Sequence, residues 1–146
     1  MEFFKRKKQN NEDGDDINKL IKELLNSHKK EYKNIENFLK YFLKYQNVEI
    51  LSLSLKEFLN HLDLLKKEID HEISYEENLG LKNINSHLEE KKEIEFIKKI
   101  IYDYIKRGKL NAYEDYEITP DLKMYDFIII LNQRKRYLEK VINLNE

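Results

Sequence analysis

The sequence predicts an all-α fold: an up-down bundle of about four helices in a single domain. Three observations carry this expectation. Apolar residues recur at three- and four-residue steps over most of the chain, helix start signals precede several of these runs, and 146 residues suit one domain. With 40% apolar residues the chain can bury one continuous core without disulfides or metal staples.

Residues 1–14 are expected to form a disordered charged tail, and 15–146 the bundle, with helices near 16–46, 54–73, 86–107 and 120–143. In the tail, Lys5-Arg6-Lys7-Lys8 stands behind Phe3-Phe4, a pattern that suits an anionic membrane surface. The acidic run Glu12, Asp13, Asp15 and Asp16 follows at once and repels such a surface, so a solubilising tail is the favoured reading.

The first helix carries Ile17, Leu20, Ile21, Leu24, Leu25, Tyr32, Ile35, Phe38, Leu39, Phe42 and Leu43 on one face. Asp15 or Asp16 is its expected cap, and Asn47 its end. Residues 47–53, with Val48 and Ile50 alternating, read as an extended connector. Ser54-Leu55-Lys56-Glu57 fits a capping box that opens a second helix, striped by Leu55, Phe58, Leu59, Leu62, Leu65, Ile69 and Ile73. Gly80 and the Asn-rich run to Asn85 read as loop. Ser86-His87-Leu88-Glu89 is a second capping box, followed by Ile94, Ile97, Ile101, Tyr104 and Ile105 and stopped by Lys106-Arg107-Gly108. Thr119-Pro120-Asp121 combines a cap, a first-turn proline and an acidic residue, and is expected to open the fourth helix. That cap assigns Phe127-Ile128-Ile129-Ile130-Leu131 to helix, although five apolar residues in a row suit a buried strand equally.

Composition narrows the chemistry. The absence of cysteine removes disulfides, thiolate nucleophiles and cysteine-ligated metals. No apolar run is long enough for a membrane span, the longest being residues 127–131, and the first residues lack a secretory signal, so cytoplasmic residence is the default expectation. Lysine outnumbers arginine 23 to four, beside 17 Ile and a single Ala, as an AT-rich coding sequence would give. Lysine clusters therefore say little about partners. No Gly-x-Ser-x-Gly motif or glycine-rich phosphate loop is present, and paired acids such as Glu89/Glu90 diverge by about 100° on a helix, so no catalytic residue is assigned and no small-molecule substrate is evident.

Four histidines remain, at 28, 61, 71 and 87. His28 on the apolar stripe of the first helix and His87 at the start of the third loosely resemble the ligand layout of hemerythrin-like di-iron bundles, which would imply a metal-binding four-helix scaffold. The positions four residues after each histidine are Tyr32, Leu65, Tyr75 and Lys91, so no His-x-x-x-Glu occurs. Glu68 and His71 make a single Glu-x-x-His step, with His71 expected to face water. No metal or cofactor is therefore assigned, and His87, near a helix N-terminus, is expected to be neutral.

The leading expectation is a non-enzymatic helical protein–protein interaction module or small structural subunit, with a protein partner or self-association. Tyr113 and Tyr116, in an acidic connector between residues 110 and 118, are the expected partner contacts. The alternative is a nucleic-acid-binding protein. It rests on the basic segment 91–109 and on residues 134–136, with Arg107, Arg134 and Arg136 as phosphate contacts.

Overall fold

The computed structural model describes the backbone of residues 2–80, 84–110 and 113–145, and side chains within 14–80, 84–110 and 117–144. Among these, five α-helices form: α1 (Glu2–Phe42), α2 (Val48–Leu51), α3 (Leu55–Asn78), α4 (Asn85–Arg107) and α5 (Met124–Asn145). A short 3-10 turn, Leu43–Tyr45, follows α1, and a two-stranded hairpin of β1 (Lys109–Leu110) and β2 (Tyr113–Glu117) separates α4 from α5. The chain is an all-α bundle of helices packed on one another.

The apolar stripes meet in a single core. Ile35 and Phe38 from α1, Leu55, Phe58 and Leu62 from α3, Ile94, Ile97 and Ile101 from α4, and Met124, Phe127 and Leu131 from α5 are completely enclosed. Aromatic rings bind its centre. Phe127 presents an edge to Phe38 at 5.7 Å and packs against Tyr104 at 6.0 Å, while Phe58 packs against Phe42 at 5.6 Å.

The contacts also fix helix directions. Glu31 meets Arg134 and Phe38 meets Phe127, so α1 and α5 are antiparallel. Tyr104 reaches Glu31 and Tyr41 packs on Phe96, so α1 is antiparallel to α4 as well. Along α3 and α4 a ladder of ion pairs keeps step: Asp63 with Lys98 (2.6 Å), Lys66 with Glu95 (2.6 Å) and Asp70 with Lys91 (2.5 Å). Each advance of three or four residues along α3 is matched by an equal retreat along α4, so the charges set the register of an antiparallel pair.

Several boundaries differ from the sequence expectation, for identifiable reasons. Helix begins at Glu2, within the segment expected as a tail; the side chains of Phe3, Phe4 and the charges that follow lie outside the described residues. Asn47 does not end the first helix. Its side chain accepts from the Ile50 amide at 2.8 Å and caps α2, a single turn that replaces the expected extended connector and buries Ile50.

Ser54 caps α3 as expected, accepting from the Glu57 amide at 3.1 Å. The two amides before it are served by the other end of the chain. Leu55 donates to the Leu122 carbonyl at 2.8 Å, Lys56 donates to Pro120 at 3.0 Å, and Met124 donates back to Leu53 at 2.8 Å. Thr119-Pro120-Asp121 is thus a turn that satisfies α3, and α5 starts later, at Met124. The α3 helix also runs five residues past the expected end, to Asn78, before Gly80 turns the chain with φ of 74°.

The second capping box does not form. Ile84 occupies the cap position in helical conformation, so α4 already includes Asn85 and Ser86. The stop at Gly108 is as expected: its φ of 73° lies where only glycine is comfortable, and its amide closes on the Tyr104 carbonyl. The connector after it, expected as loop, pairs Lys109 with Glu117 and Leu110 with Tyr113, and the Ile118 amide donates to Gly108 at 2.6 Å.

Candidate interaction surface

Glu31 is the polar centre of the molecule. It lies one helical turn before Ile35, on the face of α1 that enters the core, and is almost enclosed. A carboxylate placed there needs donors. Arg134 supplies two in a forked arrangement, Nε to Oε2 at 2.9 Å and Nη2 to Oε1 at 3.0 Å. Arg107 adds a third at 3.0 Å and the Tyr104 hydroxyl a fourth at 2.7 Å. Burial pushes the Glu31 carboxyl up, but the bonds from Arg134 and Tyr104 and the charges of both arginines outweigh it and hold it below the usual carboxylate range. Burial and the adjacent carboxylate raise Tyr104, so its hydroxyl keeps the proton it donates.

The arrangement is a clamp joining α1, α4 and α5. A carboxylate held ionised by two guanidiniums is a poor proton acceptor, and both guanidiniums lie over aromatic rings, Arg107 over Tyr104 at 5.1 Å and Arg134 over Tyr137 at 5.2 Å. Beside the clamp a recess of about 360 Å³ is lined by Ser27, His28, Glu31, Arg107, Lys109 and Arg134.

The residues singled out from sequence distribute as follows. Arg107 and Arg134 come together, but on Glu31. Arg136 is exposed and lies two residues past Arg134, about 200° around α5, so the three arginines do not form one surface. Lys91 and Lys98 of the basic segment belong to the α3–α4 ladder. Tyr113 and Tyr116 fall in β2, and their side chains lie outside the described residues.

The histidines do not converge. His28 is half-buried beside the recess, near Arg107 at the end of α4, whereas His87 is in the first turn of α4, about 30 Å away along that helix. His61 stacks on Phe58 and His71 faces water, as expected. Among the described residues no group of three metal-ligating side chains gathers. His87, expected to be neutral, sits instead between two carboxylates. Its Nε2 lies 3.1 Å from Glu76 and its Nδ1 3.6 Å from Glu72, and these carboxylates, Glu76 first, raise its pKa above the ordinary value despite partial desolvation.

Among the described residues the largest unexplained apolar feature is on α1. Ile17, Leu20, Ile21 and Leu24 are respectively 55%, 64%, 50% and 58% exposed and form one continuous helical stripe. The same line, in alternating steps of four and three, continues through His28, Glu31, Ile35, Phe38 and Phe42, the last three of which are core. The face is open because its cover stops. α4 ends at Arg107, level with Glu31, while α1 extends from that level to Ile17 for about 21 Å. Among the described residues α5 accompanies it on one flank, where Tyr32 and Ile142 pack against the core, and the start of the hairpin, Lys109 and Leu110, meets it at Ser27 and His28. Other exposed apolar residues, such as Val48, Leu64 and Tyr102, are scattered and make no comparable stripe. No signal in the sequence marks this stripe as exposed, since its periodicity is the same as that of the buried part. Glu31 is legible in retrospect as an acid at a stripe position.

Comparison with protein-family models, curated proteins and solved structures gives no match to this chain. No helix among the described residues is long and apolar enough to cross a membrane.

Proposed function

We propose that this chain is a non-enzymatic helical interaction module whose docking element is the open face of α1. One observation carries the reading: Ile17, Leu20, Ile21 and Leu24 expose a continuous apolar stripe on a helix whose continuation is locked into the bundle core. Exposed apolar surface of this kind costs solubility unless a partner covers it. A preformed helix presenting anchors at such spacing fits recognition by a second helix laid against it. The segment is also rigidly held, because the Glu31 clamp fastens α1 to α4 and α5 at the point where the stripe emerges. A cytoplasmic setting is compatible with this role.

The nucleic-acid alternative has less support. Two of its three arginines are spent on Glu31, and its lysines at 91 and 98 are neutralised by Asp70 and Asp63.

Photocrosslinking tests the reading directly. A photoreactive residue at position 24 should capture a polypeptide in cells, whereas the same group at Lys22, on the opposite side of α1, should not. Equal capture at both positions, or none at 24, would refute a docking role for the stripe.

A further inference from the structure

The clamp on Glu31 does not exhaust the guanidiniums it holds. Arg134 meets the carboxylate through Nε and Nη2, one edge of its fork, so the hydrogens on Nη1 and the second on Nη2 remain for another acceptor. Arg107 gives Glu31 a single bond, from Nη1. Both side chains line the recess of about 360 Å³, together with the exposed Lys109 and with Ser27 and His28, each able to donate a hydrogen bond. Glu31 is the one acid in that lining among the described residues, and its two oxygens already accept from Arg134, Arg107 and Tyr104. Arg107, Lys109 and Arg134 against Glu31 leave a net charge of +2.

We propose that this recess binds a phosphate dianion, free or as the monoester of a small molecule. A dianion offsets the excess charge, and a planar guanidinium fork matches two of its oxygens. Glu31 serves as the buttress. Buried beside it, with Tyr137 under its guanidinium, Arg134 is already held in one orientation, so little side-chain freedom remains to be lost on binding. Neighbouring acids do not cancel the charge. Glu117 stands across the hairpin from Lys109 but outside the lining, and on the other side of Arg107 the hollow that holds Asp103 holds Lys30 as well. The end of α4 would oppose an anion through its carbonyls, but that of Tyr104 is closed by the Gly108 amide and that of Gly108 by the Ile118 amide. The recess takes one group rather than a run of phosphates, and the proposal is independent of docking at the stripe on α1.

Inorganic phosphate titrated into the isotope-labelled full chain at constant ionic strength tests it. Amide resonances of Ser27, His28, Gly108 and Lys109 should move to saturation. In Lys109→Gln the midpoint should rise about tenfold with unchanged thermal unfolding, whereas Arg136→Gln, which alters an exposed arginine outside the lining, should leave it in place. Acetate, a monoanion, should bind much more weakly. Glycerol 3-phosphate binding at least as tightly as phosphate marks a monoester site, and phosphate binding alone marks a site for the free ion. Shifts that stay linear, an unchanged midpoint in Lys109→Gln, equal weakening by Arg136→Gln, or acetate binding as well as phosphate would each overturn the proposal. So would phosphate binding that appears only in Glu114→Gln/Asp115→Asn, because the chain's own acids would then close the recess.

Discussion

Glu31 and Arg134 are 103 residues apart in sequence and meet through two parallel hydrogen bonds of 2.9 and 3.0 Å, with both side chains about nine-tenths enclosed. The pair fastens the first long helix to the last. Removing one partner strands the other charge, and removing both together does not. Glu31→Ala is therefore expected to cost about 3 kcal/mol and lower the melting temperature by about 10 °C. Glu31→Leu/Arg134→Leu should recover most of that loss. Calorimetry on the two variants checks it, and a double variant no more stable than the single would contradict the clamp.

The same carboxylate gives an acid dependence. Its folded pKa lies below its ordinary value of 4.5, so the stability it contributes is complete above that value and is lost as pH falls through the lower, folded one. Denaturant midpoints should drop below about pH 4.5 in the wild type. In Glu31→Gln, which is less stable at neutral pH, that drop should be shallower.

His87 works in the opposite sense. Glu76 and Glu72 raise its folded pKa above 6.5, so its stabilisation is complete below pH 6.5 and fades as pH rises through the raised value. Proton resonances of the ring should titrate above 6.5 and return to the ordinary value in Glu76→Gln. An unshifted resonance in the wild type would show that the contact is not formed in solution.

The existence of the four long helices was legible, because the packing that stabilises each is written as a stripe: Phe58, Leu62 and Ile69 are buried on α3, and Ile94, Ile97 and Ile101 on α4, whereas the single turn of α2 has no stripe to announce it. Boundaries were legible only where the cap is local. Ser54 bonds an amide three residues on, and Gly108 needs only its own φ. Thr119-Pro120-Asp121 misleads because Pro120 and Leu122 serve the distant amides of Lys56 and Leu55, a long-range bond that no local pattern encodes. The candidate surface was half legible. Its apolar residues were visible, but their exposure follows from α4 ending level with Glu31, which is a tertiary fact.

The Ser54 cap yields a graded test. Ser54→Ala removes one acceptor at the start of α3 while the bonds to Pro120 and Leu122 remain, so a loss of about 1 kcal/mol is expected. Ser54→Asp, which retains an acceptor, should lose less. Equal losses in urea titrations would mean that the hydroxyl bond contributes nothing.

Nucleic-acid binding is expected to be absent, and the test must avoid the clamp. Arg134→Gln would confound the test by destabilising the fold, since it leaves Glu31 short of two of its donors. Arg107→Gln/Arg136→Gln spares that pair, Arg136 being exposed and Arg107 only the third donor. A protein that neutralised about six phosphates would lose roughly three orders of magnitude in affinity between about 50 and 200 mM salt. Fluorescence anisotropy with duplex DNA at the lower salt should therefore show no saturable binding by the wild type. Binding that appears there, falls with that slope and vanishes in the double variant would restore the phosphate role of these arginines and displace the stripe on α1 as the leading functional surface.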